Sequence, residues 1–141
     1  MIISKSTLLE LLRQLPEAPP EIGGILGGKS GVVCTAAIDT GIDAGRACSY
    51  TPDVEKLNKV IAEWQENGIE FAGIFHMHFF GVRSLSKEDV TYIAAIMESM
   101  PKCVELLYFP VIVMPAEEVV VYKAQFKDGQ LTIVEEKLSI C

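Results

Sequence analysis

A chain of 141 residues, 50% of them hydrophobic, has enough material for one compact domain with a real core, and residues 1–141 read as a single domain. Its 12 basic residues against 19 acidic ones leave a net charge of -7 with no Lys/Arg cluster, which argues against nucleic acid as a partner. The first residues, MIISKSTLLELLRQLPEA, lack a basic segment leading into a long apolar run, and no later run approaches the roughly 18 apolar residues of a membrane span, so the chain is expected to be soluble, unexported and cytoplasmic.

Leu8, Leu9, Leu11, Leu12 and Leu15 recur at helical spacing, which predicts a first helix over about 5–15, ended by Pro16. Ile22 to Leu26 and Val32 to Ile38 read as two strands around a turn at Gly27, Gly28, Lys29, Ser30 and Gly31. Thr51 suits an N-cap and Pro52 a first helical residue for a second helix whose core face carries Val54, Leu57, Ile61 and Trp64, closed by Gly68. Phe71 to His78 is short and rich in aromatics, so it reads as a buried strand.

A third helix is expected from Ser86 to Met100, with Val90, Ile93, Ala94 and Met97 facing the core and Pro101 stopping it. The remainder is β-like: Val104 to Met114 interrupted by Pro110, Glu118 to Phe126, a turn at Lys127, Asp128 and Gly129, and Leu131 to Val134. This order predicts an α/β or α+β fold, a mixed and mostly antiparallel sheet with three helices packed on it.

Cys34, Cys48, Cys103 and Cys141 are widely spaced and form no CxxC pair, so free and mostly buried thiols are expected. Gly23 to Ser30, GGILGGKS, fits the phosphate-loop expression GxxxxGK[ST] letter for letter. That mechanism needs a helix starting at Lys29 and Ser30, whereas Gly31, Val32, Val33 and Cys34 favour a strand, so the segment reads as a hairpin turn.

The two histidines, His76 and His78, stand one residue apart and are followed by Ser86 and Asp89. In a strand, residues two apart project from one face about 6.6 Å apart along the chain, so both imidazoles can converge on one ion while Met77 points the other way. Asp89, in the first turn of the third helix, is placed where the helix dipole favours an ionised carboxylate and is available as a third ligand. Two histidines and one carboxylate leave the fourth position of a tetrahedral zinc ion open, as in catalytic sites. The plainer alternative is a pair of ordinary imidazoles beside a capping box formed by Ser86 and Asp89.

Glu21 before a glycine-rich strand, then HxH, seven residues, Ser, two residues and Asp, resembles the JAMM motif of the JAB1/MPN/Mov34 metalloprotease family, in a compact single-domain, prokaryotic-type form. The similarity runs from EIGGILGG through FAGIFHMHFFGVRSLSKEDVTYI. It implies that family's cytidine-deaminase-like sandwich and a zinc-dependent isopeptidase or peptidase with one Zn2+ per chain. The substrate so implied is the tail of a ubiquitin-like or sulfur-carrier protein. By position, His76, His78 and Asp89 would hold zinc, Glu21 would move the proton, and Ser86 would hydrogen-bond the water or the oxyanion.

Two positions depart from the family pattern: Met77 stands for the usual Ser or Thr, and Phe79 for the usual Pro. Phe79, Phe80 and Val82 make the connecting loop apolar, suited to binding a substrate or a partner subunit or to tucking under the sheet, and exposed aromatics at Phe79 and Phe80 would suit a homodimer. A non-catalytic, MPN-like scaffold module is the alternative function.

Overall fold

The computed structural model describes residues 1–42 and 50–141, which form eight strands and three helices. The leucine stripe forms α1 (Lys5–Gln14), capped by Ser4, whose hydroxyl accepts from the Thr7 N–H. Before it, β1 (Ile2–Ile3) pairs in parallel with β3 (Val32–Asp39) and with β8 (Ser139–Ile140). Neither two-residue strand has enough length to show a period, so both escape a sequence reading.

The hairpin of β2 (Gly23–Lys29) and β3 is tighter than expected, for Gly27, Gly28 and Lys29 belong to the strand. Only Ser30 and Gly31 turn, both at positive φ (53° and 78°), which matches the right-handed twist of the flanking strands. The glycines serve packing instead: the register shifts at Gly27/Gly28, where the strand lies against Ile69 and Trp64. Lys29 and Ser30 sit at a hairpin tip with no helix after them, so no phosphate loop forms.

α2 (Val54–Glu66) begins two residues later than Thr51 suggested, with Asp53 as its cap accepting from Lys56 N–H. Thr51 is drawn instead into a bridge with Ile42. Val54, in the first turn, is exposed, whereas Leu57 is buried and Ile61 and Trp64 pack on the same cluster. β4 (Glu70–His78) is buried on both faces towards its end, and α3 (Lys87–Ser99) follows between caps Ser86 and Met100. Ile93 and Met97 are buried as expected, but Val90, in the first turn of α3, is exposed and packs in neither core layer.

β5 (Leu106–Val113), β6 (Glu118–Lys127) and β7 (Gln130–Glu136) complete the sheet, in the order β7-β6-β5-β4-β2-β3-β1-β8. Pro110 does not break β5: it lies where the β4 pairing skips from Gly73↔Tyr108 to His76↔Val111, so its missing N–H coincides with the gap in the ladder. Antiparallel pairing joins β2 to β3 and β4, and β6 to β5 and β7, while β4–β5 and the β1 contacts are parallel. The sheet is therefore mixed and mostly antiparallel.

The sheet separates two layers. Phe75 and Met77 project with Leu26 and Ile112 onto α1, whereas Ile74 and Ile25 face Leu57 of α2 and Ile93 and Met97 of α3. The period-2 alternation of β4 thus puts Met77 in the α1 core, 0% exposed, and sends His76 and His78 to the α2/α3 side. Gly73 allows β5 to run close to β4: a Cβ there would fall 1.7 Å from the Tyr108 carbonyl oxygen, on a backbone at φ 155°. Gly73→Ala is expected to destabilise the fold by about 3 kcal/mol or more, measured by denaturant unfolding, because either the strand pairing or the backbone must shift.

The cysteines differ from expectation. Cys34, Cys103 and Cys141 are free but exposed, on the outward side of β3, after α3 and at the last residue, and Cys48 lies outside the described residues. No helix among the described residues is long and apolar enough to cross a membrane.

Candidate metal centre

The site forms where β4 ends and α3 begins. His76 and His78 extend from one face of β4, and their Nε2 atoms are 2.9 Å apart. Asp89, at the third position of α3, reaches back to both: Oδ1 lies 3.2 Å from His76 Nε2 and Oδ2 3.3 Å from His78 Nε2. These side chains form the described residues' one group of three or more potential ligands.

Two further contacts orient this set. The capping box is complete, with the Asp89 N–H donating to Ser86 Oγ at 3.0 Å and the Ser86 N–H donating to Asp89 Oδ2 at 2.8 Å. The cap that starts the helix therefore also aims the carboxylate. His78 Nδ1 lies 3.0 Å from the Val82 carbonyl, an acceptor that favours a proton on Nδ1, so that the Nε2 lone pair is the one freed when the imidazole is neutral.

Electrostatics follow this geometry. Burial opposes ionisation of Asp89, but hydrogen bonds from His76 and His78 outweigh it and hold the carboxyl well below the usual carboxylate range. Burial likewise disfavours charge on His78, yet the Asp89 hydrogen bond and charge prevail and raise its pKa. The pair of shifts describes a carboxylate locked in its anionic form among polarised imidazoles.

Glu21 is brought in by strand register. Gly23 pairs with His76 in antiparallel β2/β4, and the Met77 N–H donates to the Ile22 carbonyl at 3.0 Å, so Glu21 lies opposite His78. Its side chain is buried, and burial pushes its pKa up to about 7; His78 pulls the value down and Asp89 pushes it further up. A carboxyl with this value exchanges a proton at neutral pH, unlike a solvated glutamate. Glu21, His76, His78, Ser86 and Asp89, separated by up to 68 positions, all line one cleft of about 660 Å³.

The cleft also contains residues that the sequence did not single out. Tyr50 packs on Gly23, where a Cβ would come within 2.4 Å of its ring, and donates its hydroxyl to Asp39 at 2.8 Å. Asp39 is 1% exposed and also accepts from the Asp53 N–H at 2.9 Å, with Lys56 Nζ at 3.5 Å. One carboxylate thus holds the cleft wall and the start of α2 together.

Burial of Asp39 opposes its charge, but the Asp53 and Tyr50 hydrogen bonds and the Lys56 charge outweigh this and lower its pKa. A depressed folded value means that the stabilisation is fully present above the unfolded pKa near 3.9 and is lost as pH falls through the folded one. Asp39→Asn is expected to cost about 2 kcal/mol at pH 7 and progressively less in acid, as followed by urea unfolding across pH.

Tyr92, one turn after Asp89, lines the same cleft, and its hydroxyl is the one buried side-chain polar atom without a hydrogen-bond partner among the described residues. Phe79 is buried while Phe80 is 79% exposed, so the loop presents one aromatic ring and not two.

No protein-family description matches this chain, and no curated protein does. Solved structures are similar to it over essentially its whole length. The solution structure of protein DSY2949 from Desulfitobacterium hafniense shares 20% identity, covers 100% of this chain and 93% of its own, and superposes with a TM-score of 0.67. The crystal structure of AF2198, a JAB1/MPN domain protein from Archaeoglobus fulgidus, shares 18% identity over 99% of this chain and 98% of its own, with a TM-score of 0.54. The chain has an MPN-like fold, with a His-His-Asp group that could hold a metal ion.

Proposed function

We propose that this chain is a zinc-dependent peptidase or isopeptidase of JAMM type, acting on the tail of a ubiquitin-like or sulfur-carrier protein. The observation that carries the reading is the convergence of His76 Nε2, His78 Nε2 and the Asp89 carboxylate at separations of 2.9, 3.2 and 3.3 Å. Ligand atoms about 2.0–2.1 Å from a tetrahedral zinc ion lie roughly 3.3 Å from one another, so each contact is of the right size, with Oδ1 meeting His76 and Oδ2 meeting His78, and the carboxylate would turn to offer the ion a single oxygen. Two nitrogens and one carboxylate oxygen are also zinc's preferred donors in open, catalytic sites.

When bound there, zinc would supply Lewis acidity and an acidified water. The chain's own residues supply the rest. Glu21, poised near neutrality, accepts a proton from the attacking water and returns it to the nitrogen of the leaving amine as the C–N bond breaks. Ser86 uses an oxygen lone pair for the Asp89 cap, which leaves its O–H free to donate to the negative oxygen that develops on the scissile carbonyl. The Val82 carbonyl keeps His78 in the tautomer that this arrangement needs.

A scaffold module of the same fold has no need of His76, His78 and Asp89 converging beside Glu21 in one cleft, and this geometry favours the hydrolase reading. Metal analysis of the purified chain tests the reading. About one zinc per chain is expected, falling to near zero in His76→Ala and in His78→Ala. Equal metal content in all three proteins would remove the metal site, and with it the proposed activity.

A further inference from the structure

The loop between β4 and α3 carries a local conflict. Phe80 and Gly81 both adopt positive φ (59° and 72°), and the Val82 N–H closes back on the Phe79 carbonyl at 3.3 Å. This is the geometry of a tight turn in which Asn-Gly is the favoured pair and an aromatic in the first central position is disfavoured. The Phe80 ring gains little from the fold in return, being 79% exposed with only a tilted contact to Phe79 at 6.4 Å between centroids. The turn itself is held: the Gly81 N–H donates to the Met114 carbonyl at 3.1 Å, and the Tyr122 hydroxyl donates to the Arg83 carbonyl at 2.8 Å. An exposed ring is thus presented on a fixed support at the mouth of the cleft that contains His76, His78 and Asp89.

The charge of that cleft indicates what the ring meets. Its described lining includes Glu21, Glu88 and Asp89 and neither Lys nor Arg. Arg83, the one cation of the loop, is turned to Glu118 at 2.8 Å and Glu135 at 3.6 Å. A divalent ion held by His76, His78 and Asp89 would offset the charges of Glu21 and Asp89, leaving the exposed Glu88 carboxylate over. An exposed aromatic ring and a free carboxylate lining one cleft suit a side chain with an apolar stem and a cationic head.

We propose that Phe80 is a substrate-anchoring residue: its ring and the Glu88 carboxylate receive a lysine or arginine side chain of the peptide lying in the cleft. The proposal rests on the peptidase reading above, and binding measured apart from turnover separates the two. The probe is a fluorescein-labelled alanine-glycine peptide with one arginine, with leucine and glutamate versions as comparators, titrated by anisotropy into the zinc-loaded full chain.

The arginine peptide is expected to bind about fivefold more tightly than the leucine one, and the glutamate peptide most weakly. Phe80→Gly should weaken the arginine peptide about fivefold while leaving Tm unchanged or raising it by roughly 3 °C, since glycine relieves the turn. Glu88→Gln should remove most of the preference for arginine over leucine. Equal binding of arginine and glutamate peptides, no binding of any, wild-type affinity in Phe80→Gly, or a fall in its Tm would each overturn the anchor. So would a wild-type dimer, seen by sedimentation, that dissociates in Phe80→Gly, because the ring would then serve a second copy. Phe80-dependent binding without cleavage of any peptide or ubiquitin-like fusion leaves the anchor standing and sinks the hydrolase reading; cleavage with Phe80-independent binding does the reverse.

Discussion

Replacing Glu21 by Gln is expected to abolish hydrolysis, with kcat lower by about 10²- to 10⁴-fold, while zinc content stays at that of the native chain. Gln keeps the shape and the hydrogen-bonding capacity of the side chain but cannot take a proton. Because Glu21 is not one of the three converging ligands, metal should remain. Loss of zinc in this variant, or undiminished turnover, would refute the proton-transfer role. The pH profile gives an independent check: the base must be ionised, and its pKa near 7 places the acid limb of kcat/KM at or below about pH 7, the bound cation drawing it lower.

The same exchange carries a stability signature with the opposite sign to a usual active-site lesion. The folded pKa of Glu21 lies above the ordinary value of 4.5, so between these two values the native state binds more protons than the unfolded one and stability falls as pH rises. Above about pH 7 the full penalty is present, and Glu21→Gln removes it. Metal-free Glu21→Gln should therefore be more stable than the native chain by about 1–3 kcal/mol at pH 8 and nearly equal to it at pH 4. A variant that is less stable at pH 8 would show that the carboxylate is compensated by contacts other than those seen.

Asp89→Ala is the second large effect, because this residue is at once the proposed third ligand and half of the capping box. Zinc affinity should fall at least about 100-fold, to little retained metal after dialysis, and the metal-free chain should lose about 1–2 kcal/mol as the Ser86 N–H loses its acceptor. Asp89→Asn separates the two roles. It keeps a cap acceptor, so the metal-free protein should unfold at a higher temperature than Asp89→Ala, though below the native chain because the charge held by His76 and His78 is lost, and without that charge zinc should still be lost. Full zinc in both variants would remove Asp89 from the centre.

The candidate site was largely legible in the sequence because its residues obey local rules. His76 and His78 share a face through the strand period alone, and Ser86 with Asp89 marks a helix start that the capping box then fulfils. Residues whose role depends on remote neighbours were not legible. Asp39 looks like the unremarkable end of a strand, and only the fold brings Tyr50, Asp53 and Lys56 to it. Phe79 and Phe80, adjacent and alike in sequence, part company because the turn sends one ring under the sheet and the other into solvent.

Element boundaries failed where two rules competed. Thr51 and Asp53 both suit a cap, and the Ile42 bridge takes the first. Gly27 and Gly28 suit a turn, yet both lie within β2, where Gly27 accepts close packing from Ile69 and Trp64. The exposed positions of Cys34, Cys103 and Cys141 likewise depend on which surfaces the assembled sheet leaves uncovered.

By itself, the sequence determined the periodicities: which of the longer segments are helix or strand, which face of β4 carries the imidazoles, and that a carboxylate waits at the start of the next helix. Those are properties of a few consecutive residues and of backbone geometry. Only the tertiary structure decided that Asp89 comes within 3.2 and 3.3 Å of the two imidazoles, and that Glu21 lies opposite His78 in a setting which pushes its pKa up to about 7. Distances and dielectric surroundings depend on strand register and on which layers close over a site, and these emerge only when segments far apart in the chain pack together.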